Sequence, residues 1–198
     1  MDAYKDYVSG LFANYLESQM SLADDLPDKI AQAAHKMVQC LLGDGKIFIC
    51  SNGASTANAL HFSHALMHQY MGERPALPVI LLNQDPTLLS TFANMGEYAH
   101  VFSRQIQALS NDKDLLVILT TTGDSNSLVH AIDSAKDIGM DIVVLSGPHG
   151  GILFNHLGPE DVEIKVALNH PARIRETHLF VLHCFCDLID QALFGAMS

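Results

Sequence analysis

The chain has 198 residues, 48% of them hydrophobic and 17% charged, with a formal net charge of −11. Length and composition describe one globular domain with its own core. The acidic balance excludes a direct grip on nucleic-acid phosphates, which needs clustered Lys and Arg. No apolar run reaches the ~18 residues of a membrane span, and no basic-plus-apolar leader follows Met1, so the chain reads as cytoplasmic.

Residues 3–22 read as a first helix with Leu11, Phe12, Tyr15 and Leu16 on one apolar stripe. Leu26-Pro27 interrupts it, and a second helix runs over 27–42, with Ile30, Ala34, Met37, Val38 and Leu41 on one side. Gly43-Asp44-Gly45 stops that helix and turns the chain. A strand follows at 46–50, then a helix over 55–71 that Arg74-Pro75 closes. Val79-Ile80-Leu81-Leu82 is a continuous apolar run suited to a strand covered on both faces. Helical segments over 86–94 and 98–110 precede a strand at 115–119, and the helix over 126–138 ends at Gly139. A fourth strand at 141–145 and a fifth at 162–166 follow; the fifth alternates in polarity and reads as an edge strand. The last helix covers 171–194. Such alternation means an α/β domain, a parallel sheet with helices on both faces. The four cysteines, Cys40, Cys50, Cys184 and Cys186, form no C-x-x-C and sit in apolar surroundings, so they read as reduced core thiols.

Two strands run straight into loops of small polar residues. The first loop is Ser51-Asn52-Gly53-Ala54-Ser55 and the second is Thr120-Thr121-Thr122-Gly123-Asp124-Ser125. Both open onto helices. Hydroxyls and main-chain N–H groups at a helix N-terminus form an anion site without a buried lysine, because the orphan donors and the helix dipole both favour negative charge. Two such loops point to a phosphorylated small molecule at the C-terminal edge of the sheet.

These loops, with Asn58-Ala59-Leu60-His61-Phe62, Glu73-Arg74-Pro75 and Ala172-Arg173-Ile174-Arg175-Glu176-Thr177-His178, resemble the SIS (sugar isomerase) family of phosphosugar-binding domains. The resemblance spans nearly the whole chain. It is closest to the branch that holds the phosphoheptose isomerases and the DnaA initiator-associating proteins DiaA. It implies one SIS domain over 1–198, a flavodoxin-like three-layer α/β/α sandwich with a five-stranded parallel sheet. Within it, 1–42 would be a helical oligomerisation segment building a homotetramer, and 43–198 the phosphosugar-binding core. The phosphosugar-binding residues it implies are Asn52, Gly53, Ser55, Thr120, Thr121, Thr122 and Ser125, with Arg175 facing the same pocket. Asp124 departs from the Asn usual in the family, and a carboxylate beside a phosphate is costly unless it turns outward.

Aldose–ketose isomerisation needs a base, an acid and a group that polarises the carbonyl. By the resemblance His61 and His183 match the two histidines of the isomerases, one of which is catalytic, and both ligate zinc in some members. The carboxylate base does not match: its position is Ala65, the Gln position is Arg175, and two Asp positions are Ala172 and Met95. With two imidazoles left, a zinc site is short of ligands, so no cofactor is expected unless the chain is an isomerase. His64 and His68 share a broad helical side with His61.

Gly158-Pro159-Glu160-Asp161-Val162-Glu163-Ile164 and the ending Cys186–Phe194 resemble the DiaA branch, where a terminal Leu-Phe pair contacts the initiator; here the pair is Leu193 and Phe194. His183 instead looks like the isomerases, and Arg175 departs from both branches. The resemblance therefore implies a DiaA-like tetrameric scaffold for a DnaA-type initiator. Its alternative is a phosphoheptose isomerase acting on sedoheptulose 7-phosphate.

Overall fold

The structure is a computed structural model and describes residues 1–195. Five parallel strands form the sheet: β1 (Ile47–Ser51), β2 (Val79–Leu81), β3 (Leu115–Leu119), β4 (Asp141–Ser146) and β5 (Val162–Lys165). Their spatial order is β2-β1-β3-β4-β5, so the fifth strand does lie at an edge. The helices are α1 (Asp2–Met20), α2 (Pro27–Leu42), α3 (Thr56–Met67), α4 (Pro86–Asn94), α5 (Val101–Leu109), α6 (Asn126–Ile138) and α7 (Pro171–Phe194).

The three layers follow from the two-residue period of the strands. Ile47, Ile49, Leu115, Val117, Leu119, Val143 and Leu145 point to one face and pack with α2, α3 and α7. Phe48, Cys50, Leu116, Ile118, Ile142 and Val144 point to the other and pack with α5 and α6. Every residue of β1 and β3 is buried, as expected of central strands covered on both sides. Burial pushes the thiols of Cys40 and Cys186 up to about 12 and that of Cys50 higher still, so all three are protonated core residues.

Three elements differ from the sequence expectation, one of them the helix over 98–110, whose first turn, Tyr98–His100, is a 3-10 turn. α3 ends at Met67 rather than at 71, because its closing carbonyls are taken from outside the helix. Arg74 donates to the carbonyls of Ala65 and Leu66 at 2.7 and 2.8 Å, and the Leu77 N–H donates to Leu66 at 3.0 Å. α1 carries its apolar stripe but buries no residue: Phe12 is 67% exposed and Leu16 is 60% exposed. It touches the body through Gln19, whose amide donates to Thr177 at 3.0 Å, above an apolar groove lined by Met20, Leu22, Leu26, Ile30 and Phe180. Among the described residues no helix is long and apolar enough to cross a membrane.

Candidate functional site: two loops at the sheet switch point

The chain leaves β1 toward β2 on one side, while β3, β4 and β5 extend on the other. The crevice between β1 and β3 is therefore the topological switch point, where open α/β sheets bind ligands. Both polar loops open there. Ser51 pairs in register with Leu119, so the loops begin at the same height. Asn83, which nothing in the sequence pattern marked, fixes the first loop. Its amide accepts from the Ser51 N–H at 3.2 Å and donates to the Ser51 carbonyl at 2.9 Å.

Asn52 ties the loops together. Its amide nitrogen lies 2.7 Å from the Ser125 hydroxyl and 2.9 Å from that of Ser127, and the two hydroxyls are 3.1 Å apart. The Tyr98 hydroxyl donates to the Asn52 oxygen at 3.2 Å. Tyr98 and Ser127 escaped the sequence reading; no spacing joins Tyr98 to a loop 46 residues away. Ser125 stands at the N-cap of α6 without capping it, which leaves the leading N–H groups of α6 without a side-chain partner. Ser55 is buried at the N-cap of α3 and does not cap it either, and Gly53 makes the turn at φ +58°.

Within the second loop the hydroxyls divide their work. Thr120 is buried, and its oxygen accepts from the N–H groups of Gly123 at 2.9 Å and Thr122 at 3.4 Å, closing the loop on itself. Thr121 is half-buried and Thr122 is exposed at the mouth. Asp124 turns outward: its carboxylate accepts from the Ile152 N–H at 3.1 Å, which answers the expected conflict with a bound anion. A second bond, Leu153 N–H to the Gly123 carbonyl at 3.1 Å, fastens the segment after β4 to the loop. A Cβ on Gly123 would collide with the Gly150 carbonyl, and its φ is +74°. Gly123→Ala is expected to cost at least the ~1–3 kcal/mol of a strained left-handed residue. Denaturant unfolding checks this, and wild-type stability would contradict the close packing.

His61 and His183 face each other from α3 and α7, Nε2 to Nε2, at 2.9 Å. One imidazole donates and the other accepts, so the pair holds at least one neutral ring. Burial, then His183 and His64, push the His61 pKa below its usual value. Tyr70 packs at 5.6 Å from the His183 ring. His64 and His68 meet edge to face, with ring centroids 5.8 Å apart. No group of three or more His, Cys, Asp or Glu able to hold a metal occurs among the described residues, so the donor set does not fit a zinc centre. Ala65 is 3% exposed, packed into the core one turn after His61. Ala172 and Arg175 are half-buried on α7, the Arg175 carbonyl accepts from the Asn58 amide at 2.8 Å, and Met95 is 65% exposed.

At the end of α7, Leu193 packs against the core while Phe194 is 38% exposed, its ring 6.0 Å from the Arg74 guanidinium.

The SIS domain profile matches residues 11–147. A phosphoheptose isomerase from Shewanella sp. (strain ANA-3) is 44% identical over 183 residues, 92% of this chain and 93% of its own. A DnaA initiator-associating protein DiaA from Pectobacterium carotovorum is 41% identical over 189 residues, 96% of each chain. The structure of a phosphoheptose isomerase from Francisella tularensis superposes with a TM-score of 0.90 at 37% identity, covering 95% of this chain and 98% of that one. The sheet order, the two loops at its switch point and these similarities over nearly the full length agree, and the chain belongs to the SIS domain family.

Proposed function

We propose that this protein is a homotetrameric phosphosugar-binding scaffold that docks a DnaA-type replication initiator, and that it carries no isomerase chemistry. The observation that carries the second half is Ala65. The position where the family resemblance implies a carboxylate base holds a buried methyl group. Alanine moves no proton, and the carbonyl of the same residue is held by Arg74. The neighbouring acid-base positions offer Ala172 and Met95, and Arg175 is too weak an acid or base near neutral pH. The loops still offer hydroxyls and unpartnered helix N–H groups to a phosphate. The 41% identity to a DiaA protein supports the scaffold role. The exposed stripe of α1 supports assembly, because a 19-residue helix with Tyr4, Phe12, Leu16 and Met20 in water is an unpartnered apolar face. Phe194 is the side chain that the α7 end presents to a partner, and Leu193 supports it from the core.

The second reading is phosphoheptose isomerisation, favoured by the His61–His183 contact at 2.9 Å and by the 44% identity to an isomerase. Sedoheptulose 7-phosphate separates the two. The expected result is saturable binding by calorimetry with no turnover, with or without added zinc. Turnover that His183→Ala abolishes would establish the isomerase instead. Ala65→Glu alone is expected to stay inactive, since Ala172, Arg175 and Met95 also differ, and strong turnover from that one change would overturn this account of the pocket. For the partner, Phe194→Ala is expected to weaken capture of purified DnaA at least about tenfold, as for an interface hot spot, and unchanged capture would remove the proposed docking residue.

A further inference from the structure

We infer that Tyr98 is a positioning residue for the anion site: it orients the Asn52 amide so that the Ser125 hydroxyl hydrogen is left for the ligand. The inference rests on the reading that Ser125 binds the phosphosugar.

A carboxamide offers two N–H donors on one atom and an acceptor on the other. Here both N–H groups are taken by serine oxygens, Ser125 at 2.7 Å and Ser127 at 2.9 Å. Two hydroxyl hydrogens remain on those serines. One lies between them, across the 3.1 Å Oγ–Oγ contact. The other has no acceptor in the cluster. Ser127 is 3% exposed and Ser125 is half-buried, so the hydrogen that reaches the crevice is that of Ser125. The cluster is thus a chain of donors running from the amide to the mouth.

The reversed amide inverts this chain. With oxygen toward the serines, both hydroxyls donate inward and nothing is left for an anion. Tyr98 decides between the two states. Its hydroxyl donates to the Asn52 oxygen at 3.2 Å, which holds the nitrogen toward the serines. Burial raises the phenol pKa, so the group stays a donor. The ring is held edge-on against the buried Phe102, with centroids 6.4 Å apart. Among the described residues Tyr98 makes no hydrogen bond to a loop hydroxyl, and it acts through Asn52.

Calorimetric titration of the full-length protein with sedoheptulose 7-phosphate, and separately with inorganic phosphate, tests this in wild type, Tyr98→Phe, Ser125→Ala and the double variant. Tyr98→Phe is expected to weaken both probes by about 3- to 10-fold, the worth of one hydrogen bond. The double variant is expected to bind no more weakly than Ser125→Ala, because Tyr98 acts through that hydroxyl. Independent, multiplying losses would mark a merely structural tyrosine and overturn the inference, as would wild-type affinity in Tyr98→Phe. Wild-type protein that binds neither probe would overturn the anion site itself. Binding by wild type with no effect of Tyr98→Phe would overturn only this step. Unchanged thermal midpoints confirm that each variant is folded.

Discussion

Replacing Arg74 by alanine is expected to lower the unfolding free energy by about 3–5 kcal/mol, the cost of breaking a buried ion pair by removing one partner. The Arg74 side chain is 1% exposed and that of Asp190 is 8% exposed. The guanidinium Nε donates to the Asp190 carboxylate at 2.7 Å. Its remaining donors close carbonyls of Ala65, Leu66 and Pro75 at 2.7, 2.8 and 2.9 Å. The substitution therefore leaves a buried carboxylate without its cation and the Ala65 carbonyl at the end of α3 without its side-chain donor, while Leu66 keeps the Leu77 N–H. Asp190 is already short of partners, since its second oxygen is buried without a hydrogen bond. Arg74→Lys is expected to recover less than half of the loss, because one ammonium cannot span a carboxylate and three carbonyls in a fixed fork. Replacing both partners by apolar residues is expected to recover only part of it too, because the Ala65 carbonyl stays without its donor. Urea unfolding monitored by far-ultraviolet circular dichroism reads all of these. A loss under ~1 kcal/mol for Arg74→Ala would mean that water reaches and replaces the guanidinium.

The same side chain joins two regions of functional interest. Through the Ala65 and Leu66 carbonyls Arg74 ends the helix that carries His61, and through Asp190 and Phe194 it reaches the end of α7. An arginine in place of the longer α3 also accounts for the open turn over 68–78 that leads to β2.

Much of the fold was legible because its signals are local. The central strands are continuous apolar runs, and the glycine that stops α6 is Gly139, at φ +93°. The loops were legible for the same reason, each being a short run of small polar residues between a strand and a helix. What escaped reading depends on contacts distant in sequence. The arginine of Glu73-Arg74-Pro75 looked like a helix stop, and its partner Asp190 lies 116 residues on. Asn83 reaches Ser51 across the sheet edge, 32 residues back. Tyr98 opens a 3-10 turn whose sequence reads as the start of a helix. The apolar stripe of α1 is a local pattern, and a pattern does not say which surface it covers. The outward turn of Asp124 has no local signal, because the N–H group that donates to its carboxylate belongs to Ile152, in the segment after β4.

His178 makes stability fall with acid. The ring is fully buried on α7, with Nε2 donating to the Ser146 carbonyl at 3.1 Å and Nδ1 buried without a partner. A second proton would have to sit on Nδ1, which is buried and has no acceptor. Burial, with the Arg175 charge adding to it, lowers the pKa from 6.5 to about 4, and the bond to Ser146 offsets only part of this. In the unfolded chain the imidazole takes its proton at the usual 6.5, so below that pH the unfolded state binds more protons than the native one. The stability from the neutral ring is complete above the unfolded pKa and is lost as pH falls toward the folded pKa. At 1.36 kcal/mol per unit this amounts to about 2 kcal/mol between pH ~7 and pH ~5, and about 3 kcal/mol in full. The His61 pKa is also lowered, so the readout is the difference from His178→Gln, which keeps an N–H donor for Ser146 and cannot take up a proton. The variant is expected to start less stable at pH ~7 and to lose about 2 kcal/mol less on acidification to pH ~5. Parallel stability curves for the two proteins would mean that His178 is protonated in the native state and that the Nδ1 side of the ring is open to an acceptor.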